Sequence, residues 1–368
     1  MATELKGKET YFMPFNQGSN GAGEVGGAGN PQREDDEYVT SYFWKDVLRR
    51  DVLLAILQRF IMRQTETKIS LIMDKHGKEK EKSTTSTKII FPRYHQLDVV
   101  EKLIHDTESK GAGTNYLIQH SAGSGKSNSI AWLTYRLASL HDTANANIFK
   151  GVFVVTDRRI LNRQLQDTIL GFEHVDGTVT TITEKDSNAS QKLKDAINAE
   201  KTGIVITTLQ RFPQIYREIQ KKGSQNYAIV VDEAHSSQSG KSAEKLKAAL
   251  ADTDEALKEM AEWEDKTVEE LEKEQDALML DLLSQGQHGN LSFYAFTATP
   301  KPKTLQTFGI ELPAGEDGKP RYKAFHNYSM LQAIEEGFIK DVLKNYTTFQ
   351  ISYEIARREA EPPQCRAK

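Results

Sequence analysis

Lys126 and Ser127 close an eight-residue stretch, HSAGSGKS from His120 to Ser127, whose residue types suit the holding of a phosphate chain. Gly123 and Gly125 let the backbone curl into a nest with its N–H groups turned inward, and Ser121, Ala122 and Ser124 complete that backbone. The apolar-periodic segment from Asn128 to Leu140 then supplies a helix whose positive end faces the same point. Lys126 is expected to reach the β- and γ-phosphates of a nucleotide, and Ser127 to hold a magnesium ion. The strict pattern GxxxxGK[ST] asks for glycine at position 120, where this chain has His120. Taken alone, the motif could also be an ordinary glycine-serine turn before a lysine.

A second group suited to chemistry lies downstream. Asp232 and Glu233 end the apolar run of YAIVVDEAH, Tyr227 to His235. A carboxylate pair after a strand is by itself a helix cap or a solvated turn. Behind a phosphate loop it divides labour: Asp232 binds magnesium directly or through water, and Glu233 orients or deprotonates the attacking water. Upstream, Gln96 in FPRYHQ carries an amide that could read an adenine edge, or it is a surface glutamine that opens a helix.

The elements that must position these groups are legible as apolar runs. TNYLIQ (114–119), GVFVVTD (151–157), GIVITTLQRF (203–212), YAIVVDEAH and LSFYAFTATP (291–300) read as strands, and helical segments such as RRILNRQLQDTIL separate them. Continuous apolar strands of this kind predict an α/β fold, a parallel sheet covered by helices on both faces. Functional residues should then collect at the carboxyl ends of the strands.

The rest of the chain is read as support. Residues 18–30, GSNGAGEVGGAGN, predict a flexible linker within residues 1–40, because so little side chain cannot offset the entropy of ordering. Residues 41–88 are a helical linker segment: an amphipathic helix from Ser41 to Arg63, with its aromatic stripe against the body, then a strand KISLIM and a solvated charge run, Lys78 to Lys82. The stretch from Ser242 to Gly286 reads as an inserted helical subdomain. Residues 301–320 look loop-like, SMLQAIEEGFIKDVL a short helix, NYTTFQISY a strand, and EPPQCRAK a disordered tail.

Composition sets the outer bounds. With 368 residues, 38% hydrophobic, 27% charged and a net charge of −4, the length suits about two domains and no global field favours nucleic acid. Any such contact must come from local patches. The single cysteine, Cys365, excludes an intramolecular disulfide and a cysteine-based metal cluster. No run reaches the roughly 18 apolar residues of a membrane span, and no signal core stands at the N-terminus. These features predict a cytoplasmic protein.

With HSAGSGKS, TDRR, TTLQ, DEAH and TATP in this order, the chain resembles the superfamily 2 helicase and translocase motors. More finely, it resembles the motor, or restriction (HsdR-type), subunit of type I restriction-modification enzymes. The wording that carries this is GGAGN (26–30), SYFWKDVLRRD (41–51), FPRYHQ, NYLIQHSAGSGKSNSI, VVTDRRILNRQLQ, DEAHSSQ, FTATPKPKTLQTFG and YSMLQAIEEGFIKDVLKNYT, from Gly26 to Tyr346. The resemblance implies a P-loop NTPase lobe of the RecA-like type over residues 89–310, with 311–368 leading into a second lobe. It implies that Lys126, Ser127, Asp232 and Glu233 bind and hydrolyse ATP with magnesium, and that Gln96 with Arg93 reads the adenine. Thr297, Thr299 and His235 would couple nucleotide state to the lobe interface and DNA. Arg158, Arg159, Thr207 and Thr208 would hold the DNA backbone, which positions without specifying sequence. The implied partners are double-stranded DNA and the methylation and specificity subunits, with no membrane.

The departures from that family are expectations too. The family's amino-terminal nuclease and the QxxGRxxR-type motif of its second lobe are not found in this sequence, so the chain reads as a middle fragment. Catalytic arginines accelerate phosphoryl transfer by roughly 10³ to 10⁵. The fragment is therefore expected to bind ATP, turn it over slowly, and not cut DNA. The competing readings are a stand-alone superfamily 2 DNA or RNA helicase and a non-hydrolysing docking module for the methyltransferase core.

Overall fold

A computed structural model describes residues 6–32, 38–73, 79–156, 159–172, 178–182, 189–199, 203–208, 225–232, 289–315 and 318–341, with isolated positions 2, 215, 218, 219 and 344. The helical insertion expected over 242–286, the strand over 345–353, the tail, Arg158, Glu233 and His235 lie outside the described residues.

A seven-stranded parallel sheet organises the molecule. Its strands are β3 (Asn115–His120), β4 (Gly151–Thr156), β5 (Val179–Thr181), β6 (Gly203–Thr208), β7 (Tyr227–Asp232), β8 (Leu291–Thr297) and β11 (His326–Tyr328), ordered β11-β3-β8-β7-β4-β6-β5. Every pairing is parallel. The apolar runs are continuous because alternate residues serve opposite faces. Ile118, Val152, Val154, Ile206, Val230 and Phe296 enter one core, and Leu117, Phe153, Val155, Val205, Ile229 and Phe293 enter the other. The α/β class, with helices against a parallel sheet, is as expected.

The first core is closed by α2 (Tyr94–Lys110), α3 (Lys126–Ala138) and α4 (Arg159–Gly171). α2 begins where Pro92 and an extended Arg93 end the preceding chain, and the Gln96 side chain accepts from the Arg93 N–H at 2.8 Å to cap it. Leu97, Val100, Leu103 and Ile104 keep one face buried, and Gly111 at φ +75° ends the helix. The second core is closed by α5 (Ala189–Asn198) and α6 (Pro302–Phe308). α6 lies where the sequence suggested a loop: Pro302 sets the first-turn geometry, and Leu305 and Phe308 reach the core together.

The amino-terminal region departs further from expectation. In place of one amphipathic helix there is a π-helical turn (Phe43–Val47), then α1 (Arg50–Ala55), then a second π turn (Ile56–Phe60), with Arg49 extended between the first two. Val47, Ile56 and Phe60 are buried, whereas Trp44, Leu48, Leu54 and Leu57 are exposed, so the break turns part of the stripe to solvent. Phe60 fastens the segment to the sheet body. Its carbonyl accepts from Trp132 Nε1 at 3.1 Å, and its ring lies 5.8 Å from the Trp132 ring, a contact worth about 1 kcal/mol. β1 (Met62–Met73) and β2 (Glu79–Ile90) follow as an antiparallel ribbon, and β9 (Ile310–Leu312) with β10 (Arg321–Lys323) forms a second, short one. The charge run expected as a loop therefore lies mostly in a strand, with Leu71 opposite Glu81.

The glycine-rich stretch expected as a flexible linker is a strap. Gly18 N–H donates to Gly29 O at 2.8 Å and Ser19 N–H to Gly27 O at 2.9 Å, closing it on itself. Asn327 N–H then donates to Gly23 O at 2.8 Å, so the strap covers the open edge of β11. It also rests on α7 (Met330–Glu335): Ala28 N–H donates to Glu335 Oε2 at 2.6 Å, and Ser329 Oγ donates to Gly26 O. Glycine here trades entropy for close backbone contact. β11 (His326–Tyr328), beyond residue 310, is a strand of the same sheet.

Candidate functional site

All seven strands of the sheet run the same way, so His120, Thr156, Thr208, Asp232 and Thr297 end five of them along one edge. The loop after His120 turns there through Gly123 at φ +72° and Gly125 at φ +79°, and Gly125 caps α3. Both angles lie in the left-handed region that favours glycine.

What shapes the loop is the first turn of α2. Arg93 Nη1 donates to Gly123 O at 3.0 Å, and His95 Nε2 to Ser124 O at 3.0 Å. Gln96 Nε2 donates to Ser124 O at 3.2 Å and to Gly125 O at 3.0 Å. Three consecutive carbonyls, those of Gly123, Ser124 and Gly125, are thus drawn toward α2. A Cβ on Gly125 would run into the Gln96 amide, so that glycine also permits the approach. Burial, foremost, pushes the His95 pKa down to about 3, so its ring is neutral and Nε2 carries the proton that Ser124 accepts.

His120, at the position where the strict motif has glycine, keeps its ring out of the loop. The ring is fully buried in the layer beneath, 5.3 Å from the His95 ring, and its Nε2 lies 2.9 Å from His326 Nδ1. His326 Nε2 in turn meets Asp98 Oδ2 at 3.0 Å, and Lys102 Nζ lies 2.7 Å from the same oxygen. The carboxylate fixes the tautomers: His326 donates to Asp98 and His120 donates to His326. Burial works to raise the Asp98 pKa, yet the His326 hydrogen bond and the Lys102 ammonium outweigh it and hold the carboxyl low. Burial holds both histidines below their ordinary value. The His120 carbonyl accepts from Lys126 Nζ at 3.4 Å.

The other expected residues distribute unevenly. Ser121 and Ser124 are buried with hydroxyls that have no hydrogen-bond partner, while Ala122 and Gly123 are exposed. Lys126 and Ser127 open α3, half-buried. Asp232 ends β7, also half-buried, and β8 stands between it and the loop strand. Thr297 is buried and its Oγ1 accepts from Thr299 N–H at 3.3 Å, with Thr299 itself exposed. Thr207 and Thr208 are buried, with hydroxyls that have no partner. Arg159 opens α4. Gln96 is 2% exposed and both its amide donors are taken by the loop, so only part of its oxygen is left for a base edge.

For a nucleotide and magnesium the donor set is suitable but incomplete without the ligand. Among the described residues no group of three or more His, Cys, Asp or Glu could hold a metal ion. Ser127 and Asp232 offer hard oxygen donors, and the remaining ligands of a magnesium ion at such a site come from phosphate and water. Of the side chains that sequence reasoning missed, His95 and Ile339 meet the loop directly, Phe338 meets it through Arg93, His326 pairs with His120, and Asp98, Tyr328 and Glu336 stand behind these. Among the described residues no helix is long and apolar enough to cross a membrane.

Residues 95–255 match a family model described as SWI2/SNF2 ATPase, a span that runs from α2 through the phosphate loop to beyond β7. Three solved structures are similar. One is the Hef helicase domain of Pyrococcus furiosus, with 16% identity over 58% of this chain and 36% of that one and a TM-score of 0.31. Another is a DEAD box protein from Methanococcus jannaschii, with 17% identity over 57% and 45% and a TM-score of 0.31. The third is a hypothetical ATP-dependent RNA helicase from Sulfolobus tokodaii, with 18% identity over 57% and 53% and a TM-score of 0.28. The match spans about a third to a half of each of those chains. No curated protein matches.

Proposed function

We propose that this chain is the ATP-binding motor lobe of a DNA translocase, of the kind that serves as the restriction subunit of type I restriction-modification enzymes. The observation that carries the nucleotide part is the loop itself: left-handed glycines at 123 and 125, carbonyls drawn back by α2, and Lys126 at the start of a helix. The SWI2/SNF2 ATPase match over 95–255 supports the same reading. In it Lys126 neutralises the β- and γ-phosphates, Ser127 and Asp232 hold magnesium, and Glu233 orients the attacking water. Magnesium supplies charge neutralisation along the phosphates. Arg93 keeps its place beside the loop, and Gln96 accepts from the base with the free part of its oxygen.

The DNA part rests on the motif order and on the type I wording of the sequence. Arg158, Arg159, Thr207 and Thr208 contact the DNA backbone, His235, Thr297 and Thr299 couple it to nucleotide state, and methylation and specificity subunits complete the assembly. Titration calorimetry with ATP and magnesium, with and without duplex DNA, tests this. Binding that vanishes in Lys126→Ala is expected, and parent binding no tighter than that of Lys126→Ala would contradict the motor-lobe reading.

A further inference from the structure

We infer that Phe338 is a positioning residue for the phosphate loop: its ring holds Arg93 against the Gly123 carbonyl, so the turn that follows α7 sets the shape of the loop. The inference rests on the nucleotide reading above and deepens it.

The turn is built to present two side chains. Gly337 at φ +77° breaks α7, its N–H donates to Ile334 O at 3.0 Å, and the N–H groups of Phe338 and Ile339 both donate to Ala333 O, at 3.0 and 3.3 Å. Phe338 and Ile339 are thereby set side by side on the loop. The Arg93 guanidinium carbon lies 3.6 Å from the centre of the Phe338 ring, well inside the range of a cation–π contact. The same guanidinium donates to Gly123 O at 3.0 Å. Ile339 occupies the space that a Cβ on Gly123 would need. Gly123 is gripped from two sides by one turn.

That turn cannot drift, because its root is tied to the sheet. Tyr328 OH donates to Glu336 Oε2 at 2.7 Å, and Gln332 Nε2 donates to Glu336 Oε1 at 3.0 Å. Tyr328 also stacks on His95 with ring centres 3.6 Å apart, and its carbonyl accepts from Ser121 N–H at 3.0 Å. The segment 328–339 therefore meets the loop at its start, through His95 at its middle, and at Gly123. Arg93 loses hydration in this place, which makes the aromatic face worth more to it than at an open surface. Phe338 acts on the loop through Arg93, which separates it from a group that touches nucleotide.

The experiment is a calorimetric titration with two probes, magnesium-ATP and magnesium tripolyphosphate, which has phosphates and no base. Phe338→Leu keeps apolar bulk but loses the ring face, and Phe338→Trp keeps the face. Phe338→Leu is expected to weaken both probes by about tenfold, the size of one partly desolvated cation–π contact, with Phe338→Trp close to the parent. Combined with Arg93→Ala, the leucine variant should lose little more than Arg93→Ala does alone. Parent-like binding by Phe338→Leu would overturn the inference and leave the nucleotide reading standing. A loss confined to ATP, with tripolyphosphate unchanged, would also overturn it, because it would place Phe338 at the base. Failure of the parent chain to bind either probe any better than Lys126→Ala would instead remove the nucleotide reading and this inference with it.

Discussion

Two glycine-rich stretches meet in this molecule and use the same residue for opposite ends. In residues 18–30, Gly18, Gly21, Gly23 and Gly29 take positive φ so that backbone can lie on backbone and on β11 and α7. The N–H groups of Gly18, Ser19, Gly21 and Glu24 go to the chain's own carbonyls, that of Gly27 to Ser19 Oγ, and that of Ala28 to the Glu335 carboxylate. In residues 120–127 the positive angles at Gly123 and Gly125 serve a loop whose carbonyls are consumed from behind by Arg93, His95 and Gln96. A phosphate site therefore needs more than glycine. It needs acceptors satisfied on one side, a lysine, and a helix start on the other.

The largest expected effect separates the two stretches. Lys126→Ala should weaken magnesium-ATP binding by about a hundredfold, as befits loss of a charged donor to phosphate, and leave the melting temperature nearly unchanged. Gly23→Ala should do the reverse. Gly23 sits at φ +82° with its Cβ position 2.8 Å from the His326 ring, so alanine there should destabilise the fold by about 2 kcal/mol in urea unfolding. Its nucleotide affinity, measured in the folded protein, should stay within a few-fold of the parent. A Gly23→Ala chain of normal stability would mean that the strap is loosely held.

These predictions also mark what the sequence could tell. The loop, the strands and the fold class were legible because they depend on neighbours in sequence: glycines and a lysine at fixed offsets, and apolar runs of strand length. The strap was not, since its order comes from Asn327, Ser329 and Glu335, about three hundred positions away. Gly18–Asn30 has the composition of a linker, and only partners from β11 and α7 make it structure. The same holds for Phe338 and Arg93. The failure at position 120 was informative in its own right, because the histidine ring turns away from the loop into a buried pair with His326.

That pair stands between the two stretches and gives the molecule a pH response. His95, His120 and His326 are all held neutral, with burial the first cause, and His95 titrates only at about 3 in the fold. The unfolded chain takes up protons at these rings near pH 6.5, whereas the folded chain does not. Below that pH the unfolded state therefore binds more protons, and stability falls as pH falls. Each ring contributes about 1.4 kcal/mol per pH unit once it is fully protonated in the unfolded chain alone. Asp98, whose folded pKa is lowered, acts in the same direction at lower pH. Urea unfolding at pH 7, 6 and 5 should show the slope, and His95→Gln, which keeps a donor for Ser124, should flatten it. An unchanged slope would mean that His95 is protonated in the fold.

The smallest effect tests whether the strap's hold on α7 is separable from the loop's. Glu335 is exposed, and its carboxylate accepts from the Ala28 N–H at 2.6 Å. An exposed charged acceptor of this kind contributes about 0.5 kcal/mol, because water competes for both partners. Glu335→Ala should therefore lower the melting temperature by about 2 °C or less. The neighbouring Glu336 differs: it is buried, tied to Tyr328 and Gln332, and burial above all raises its pKa. If Glu335→Ala leaves tripolyphosphate affinity untouched, the strap holds the outer face of α7 while the Phe338 turn holds the loop. If the affinity falls as well, the two glycine stretches are one mechanical unit, joined through α7.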